Sequence, residues 1–230
     1  MSGLALYGHP FSSYTWKALI PLYANQTPFE FRELTPGDAA EGELLARLHP
    51  AGKFPVLSDG DTVVIEATAI IEYLALHHPG AAPLIPADPG EAVTVRMMDR
   101  VFDNYVMANV QRVVSAYIAD GANPDPGEVE GGKADLLRAY RWLERWLERN
   151  ALPPHVNLVT CAAAPSLFYA DWVERIPADC PRLADLRAEV PRLSRGRALC
   201  RRCTPVAPLF SARRARPRLT PAFVLVMFLR

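Results

Sequence analysis

Cysteine is absent from the first 160 residues, and only four follow: Cys161, Cys180, Cys200 and Cys203. So few thiols rule out a disulfide-built scaffold and fit a reducing, cytoplasmic setting. Cys200 and Cys203 form a Cys-x-x-Cys pair, but no second pair or histidine cluster accompanies them, so no metal site is expected. No apolar run reaches the roughly 20 residues needed to cross a bilayer, and the apolar stretch Ala222–Leu229 is far too short. The N-terminus lacks both a basic run and a signal-like apolar segment, so neither secretion nor a membrane partner is expected. Acidic residues are missing from the end of the chain: all 25 lie at or before Glu189. Residues up to Arg195 carry a net charge of −8, and Gly196–Arg230 carries eight arginines with no acid and no lysine. An acidic body argues against nucleic acid as the partner.

What is present is an ordinary globular balance, with 50% hydrophobic and 22% charged residues in a 230-residue chain. That is enough to bury a real core in one large domain or two modest ones. Leu4–Tyr7 is a short apolar strand followed by a Gly-His-Pro turn. Ser13–Tyr23 has helical spacing, with Trp16, Leu19, Ile20 and Tyr23 on one face. Phe29–Leu34 alternates, with Phe29 and Phe31 inward and Glu30 and Arg32 outward. Glu41–Leu48 is a brief helix. Val56–Ser58 and Thr62–Ile65 flank Asp59-Gly60-Asp61, a hairpin signal. Ala67–His77 is helical again. This order implies a four-stranded mixed sheet whose first βαβ unit is parallel.

Residues 79–89 hold four prolines and read as a linker. Beyond them only helical patterns occur: Glu91–Asp120, Lys133–Asn150, Leu158–Arg175 and Leu183–Leu193. The expected organisation is an α/β unit over 1–78, the linker 79–89, an all-helical unit over 90–195, and an atypical arginine-rich tail over 196–230.

Three short segments carry chemical information. In Gly52-Lys53-Phe54-Pro55-Val56-Leu57 the proline belongs at a strand start, because it cannot donate to a ladder. A trans proline closing a loop is the commoner case. A cis one would expose the Phe54 backbone for pairing with an extended peptide. Glu66 stands where a strand becomes a helix, as a dipole partner or as a counter-ion for an ammonium; the helix start itself suits a carboxylate. Ser12 and Ser13 precede the first helix, and either is a reasonable N-cap. His9 has no nearby His or Cys partner and reads as a turn residue.

Taken in order and at their spacing, Tyr7-Gly8-His9-Pro10-Phe11-Ser12-Ser13, His49-Pro50-Ala51-Gly52-Lys53-Phe54-Pro55-Val56-Leu57 and Glu66-Ala67-Thr68-Ala69-Ile70 resemble the first domain of soluble glutathione transferases. Serine-type, bacterial-like members are the nearest in character. The likeness covers residues 4–78 closely and 90–190 more loosely. It implies a thioredoxin-like domain with a mixed four-stranded sheet, followed by a helical-bundle domain. Glutathione is then a co-substrate whose thiolate attacks a small hydrophobic electrophile, in a cytoplasmic, detoxifying homodimer.

By this resemblance Pro55 matches the family's cis-proline, and the Phe54 backbone pairs with the cysteinyl part of glutathione. Lys53 lies near the glycyl carboxylate, and Glu66 meets the γ-glutamyl ammonium. At the next position the family usually has serine. Ala67 lacks its hydroxyl, which should weaken binding by about 1 kcal/mol. A hydroxyl must hold the thiol as thiolate; Ser13 ranks first, Ser12 second and Tyr7 third. Phe11, Tyr105 and Arg112 are placed around the electrophile.

The resemblance leaves other activities open. One is a non-catalytic binding module, because Ala67 weakens the site. Another is a glutathione-dependent isomerase or dehalogenase, because Ser13-Tyr14 stands where related isomerases have Ser-Cys. A cysteine-based reductase is disfavoured, as no cysteine is near the first turn. In the helical part, Asn157-Leu158-Val159-Thr160 stands where the family has a capping box ending in aspartate, so a weaker reciprocal bond and a less stable helical domain are expected.

The tail has two readings: a basic segment that binds membrane or nucleic acid, or a coding frame that departs from the ancestral one. Intact-mass measurement on protein from its native source separates them. A mass matching all 230 written residues eliminates the frame change, which predicts a different one.

Overall fold

A computed structural model describes residues 3–35 and 37–193. The arginine-rich tail, with its frame-change reading and the Cys200–Cys203 pair, lies outside the described residues. The elements run β1 (Leu4–Gly8), α1 (Ser13–Ala24), β2 (Glu30–Glu33), α2 (Ala39–Leu48), β3 (Val56–Asp59), β4 (Thr62–Ile65) and α3 (Ala67–His77). Then come α4 (Pro89–Val101), a π-helical segment (Phe102–Met107), α5 (Ala108–Ala119), α6 (Pro126–Leu147), α7 (Leu158–Val173) and α8 (Pro181–Leu193).

The four strands form one sheet in the order β2-β1-β3-β4. β1 pairs parallel to β2, while β1–β3 and β3–β4 are antiparallel. This is the mixed four-stranded sheet that the alternation of elements implied, in the thioredoxin-like form that the resemblance implied. β1 is buried on both faces, which is why it reads as an unbroken apolar run. Its residues still divide by parity. Leu4 and Leu6 join the main core with Trp16, Leu57 and Ile70, whereas Ala5 and Tyr7 pack with Leu34, Leu45 and Val56 on the other face. The β3–β4 turn needs Gly60, whose φ is +57.

The helical half differs from the sequence pattern in instructive ways. The expected long helix over Glu91–Asp120 is α4 and α5 joined through the π-helical segment. A π turn adds one residue without breaking the apolar stripe, so helical periodicity hides it. Pro89, placed in the linker by composition, is in the first turn of α4, with Asp88 as N-cap accepting from the Glu91 N–H. α6 begins seven residues earlier than expected, because Asp125 and Pro126 form a helix start of the same kind.

The capping expectation for α7 also needs correction. Asn157 Oδ1 accepts from the Thr160 N–H at 3.1 Å, and the Thr160 hydroxyl accepts from the Asn157 N–H at 2.8 Å. The reciprocal bond survives because a threonine oxygen reaches as far as this backbone requires. Only the negative charge at the helix start is lost.

The two halves meet along a shared core in which α1 packs on α7, and α4 and the π-helical segment also lie against α7. Trp16, buried in α1, stacks obliquely on Phe168 and Tyr169 of α7.

Candidate functional site

The chain reverses between β1 and α1, and this turn is fixed from several sides. Gly8 lets α1 come close: a Cβ there would lie 2.6 Å from the Thr15 hydroxyl. The indole N–H of Trp16 donates to the Pro10 carbonyl, and the Tyr169 hydroxyl donates to the Phe11 carbonyl at 2.6 Å. His9 accepts the Phe11 N–H at Nδ1, 3.3 Å away. Its pKa is lowered by burial, against a smaller opposing pull from Glu33. The ring is therefore neutral with its proton on Nε2.

Beside this turn opens a cleft of about 270 Å³, near the lower end of small-molecule pockets at roughly 300 Å³. Three stretches of the α/β part line it: His9 with Ser12–Tyr14, His49 with Gly52–Pro55, and Glu66–Ala67. Arg100, Asp103, Asn104 and Gln111 close it from the helical side.

The three segments singled out in the sequence thus converge on one cleft. The Phe54–Pro55 bond is cis, as the resemblance implied and against the commoner trans alternative. Exposed Lys53 stands at the rim. Glu66 is the N-cap of α3 with φ +69 and ψ 119, an unusual backbone for a side-chain-bearing residue and one that recurs at ligand sites. Its carboxylate caps no amide of the helix, so it is available to an external cation.

The candidate hydroxyls separate clearly. Ser12 is the N-cap of α1, and its Oγ accepts from the Thr15 N–H at 3.2 Å. Ser13 is the first helical residue and is buried at the cleft wall. Tyr7 is elsewhere. Its hydroxyl accepts from Arg32 at 2.7 Å, and the guanidinium also lies over its ring. Strand alternation puts Tyr7 on the opposite side of the sheet from the main core, and it is not part of the cleft lining.

The expected electrophile residues do not line the cleft. Phe11 serves through its carbonyl, holding Tyr169. Tyr105 is 60% exposed. Arg112 turns toward α6, where it pairs with Glu128 at 2.8 Å and Asp135 at 3.4 Å. The π-helical segment presents Asp103 and Asn104 to the cleft, and Tyr105 is absent from its lining.

Sequence reading missed the charged cluster beneath the cleft. Lys17 of α1 is 1% exposed and lies 2.6 Å from both Asp99 Oδ1 and Asp103 Oδ2. Thr68 of α3 accepts from Lys17 at 2.9 Å and donates to Asp99 at 2.9 Å. Arg100 completes the group on its open side, bonded to Asp99, Asp103 and the Thr68 hydroxyl. Burial raises the Asp103 pKa, partly offset by Lys17. Burial also disfavours the charge of Arg100, but Asp99 and Asp103 outweigh that and hold its pKa above the usual value. The Tyr14 phenol is pushed up by burial and then by Asp103, so it stays protonated at the wall. One signal was available: Asp99 falls among Val95, Met98 and Phe102, at a buried position of an otherwise apolar stripe.

The comparisons agree with this geometry. Residues 6–82 match the family model described as "Glutathione S-transferase, N-terminal domain". Glutathione S-transferase 1 of Dianthus caryophyllus is 27% identical over 214 residues, spanning 88% of this chain and 94% of that protein. Glutathione S-transferase 3 of Zea mays is 30% identical over 156 residues, or 65% of this chain and 69% of that one. Among solved structures, a delta-class glutathione transferase of Nilaparvata lugens shares the fold, with a TM-score of 0.72 and 22% identity over 84% of this chain and 90% of that one. With the cis-proline, the strained acidic helix cap and the paired serines all facing one cleft, the chain belongs to the glutathione S-transferase family.

Proposed function

We propose that the protein is a cytoplasmic glutathione transferase that holds glutathione in this cleft and presents its thiolate to a small electrophile. The observation that carries the reading is the convergence of Phe54–Pro55, Glu66 and the start of α1 on one cavity. The glutathione-binding unit extends to residue 78 and the helical unit begins with α4 at Pro89. Glutathione lies with its γ-glutamyl end at the start of α3, its cysteinyl backbone along Phe54 and its glycyl carboxylate toward Lys53. The thiol then falls near the start of α1.

There a hydroxyl and the helix field stabilise the anion. Ser12 is the better-prepared donor. One lone pair of its oxygen is engaged by the Thr15 N–H, which fixes the side chain and leaves its proton free to give. Ser13, first in rank by sequence, is then the neighbouring wall.

The wall contributed by the helical side favours a second reading of the electrophile. Asn104 and Gln111 are polar, which suits a polar electrophile better than the hydrophobic one first expected. Glutathione-dependent isomerisation is the variant of the reaction that such substrates permit, and it differs in releasing glutathione unchanged.

A homodimer is part of the proposal. Val93 (65% exposed) and Met97 (44%) lie one turn apart on α4. Between them Arg96 bonds Glu72 of α3 at 2.7 Å, and Leu76, 77% exposed, is one turn beyond Glu72. This apolar strip fits a second copy of the chain. Sedimentation should give twice the 25.4 kDa chain mass, and Met97→Glu with Val93→Glu should reduce it to one; a monomeric wild type refutes the dimer.

Ser12→Ala should lower kcat/KM for conjugation of an aryl halide by roughly 10²-fold, as loss of one preorganised donor does. It should also raise the pKa of bound glutathione, read from thiolate absorbance. Circular dichroism controls for the lost N-cap, worth about 1 kcal/mol. Ser13→Ala should change kcat/KM by less than about threefold on the same scale. The opposite result makes Ser13 the donor, and no effect from either removes hydroxyl activation. Product mass in the same assay separates conjugation from isomerisation.

A further inference from the structure

The start of α3 offers two complementary groups side by side. Among the described residues no side chain caps its first-turn amides, and the Glu66 carboxylate caps none of them. Uncapped amides seek an anion, and Glu66 seeks a cation. A ligand end that meets both carries a carboxylate and an ammonium on one carbon, the head of an α-amino acid. Glutathione has one such end, the γ-glutamyl group.

Ala67, at the first position of this helix, contributes no hydroxyl to that carboxylate. Arg100 reaches the same turn from the helical half. Its Nη2 is bonded to the hydroxyl of Thr68, the next residue of α3. Its Nε and Nη2 are both committed to Asp99, and Nη2 also to Asp103 at 3.0 Å. The guanidinium is therefore held along one edge by carboxylates that are themselves buried on Lys17. The side chain remains 48% exposed and lines the cleft together with Glu66 and Ala67, so the Nη1 edge is left for a ligand.

We infer that Arg100 binds the α-carboxylate of the γ-glutamyl group, supplying from the helical half the contact that Ala67 cannot make. The inference rests on the glutathione reading. An ionised donor makes a stronger bond to a carboxylate than a neutral hydroxyl does. A guanidinium already fixed by three partners also loses little freedom on binding. Arg100 thereby turns the expected weakness at Ala67 into a contact that spans both halves of the protein.

The test is a cycle between this residue and one group of the ligand. Calorimetry compares glutathione with 4-aminobutyryl-cysteinyl-glycine, which keeps the amine and lacks the α-carboxylate. Arg100→Gln should weaken glutathione by about tenfold or more and leave the analogue within about twofold. Arg100→Lys keeps the charge opposite Asp99 and Asp103, guarding against misfolding, and should give a smaller loss confined to glutathione. Ala67→Ser should recover several-fold affinity in the Arg100→Gln background. Equal weakening of both ligands, or of neither, overturns the inference while leaving the glutathione reading intact. A wild-type protein that binds no glutathione sinks both.

Discussion

The buried ammonium of Lys17 is the interaction on which the rest of the arrangement depends. It is carried by α1, the helix that follows the site turn, and it is enclosed by Asp99 and Asp103 from the helical half and Thr68 from α3. A charge so deeply placed is tolerated only when its partners are all present and well oriented. The requirement fixes α4 and the π-helical segment against α1 and α3 in one relative position. Asp99 and Asp103 stand four residues apart, one helical turn, so a single face of the helix presents both to the same cation. Replacement of the ions by apolar residues need not lower stability, but removal of one partner alone should. The cluster thus sets geometry more than it adds free energy.

The cleft inherits its shape from that joint. Its α/β wall is built from backbone features: the start of α1, the cis-proline edge of β3 and the strained cap of α3. Its helical wall exists where it does because Asp99 and Asp103 are tied to Lys17, which brings Arg100 to Thr68 near the start of α3, with Asn104 and Gln111 lining the same cleft. The site turn is held in the same fashion by Trp16 and Tyr169, one from each half. Binding and the relation of the two halves are therefore coupled through a handful of side chains, with no hinge residue needed to explain it.

How much of this could be read in the sequence follows from where each feature is encoded. The positions of Pro55 and Glu66 were legible as local backbone statements, a proline at a strand start and an acid at a strand–helix junction, whereas the cis bond was implied only by the family resemblance. The mixed character of the sheet followed from alternation and from Asp59-Gly60-Asp61, whereas the order β2-β1-β3-β4 rests on non-local pairing. Tyr7, ranked last of the three hydroxyls, is not in the cleft lining, and parity along β1 separates it from Leu4 and Leu6. Arg100 and Asp103 were not legible, since they approach from a helix more than 30 residues beyond Glu66, and a π turn leaves a helical pattern intact. The partners of Arg112, Glu128 and Asp135, lie on a different helix, so spacing along the chain does not reveal them. Thr160 shows the limit of motif matching: the motif lost its acid, yet the hydrogen bond that the motif stands for is kept.

The central claim, that one buried cation sets the relation of the two halves and with it the cleft, is tested most directly by equilibrium unfolding of Lys17→Met. The account predicts a loss of about 3–5 kcal/mol, the cost of leaving paired buried charges without their partner. Stability unchanged to within about 0.5 kcal/mol, the usual range for an exposed substitution, would contradict it.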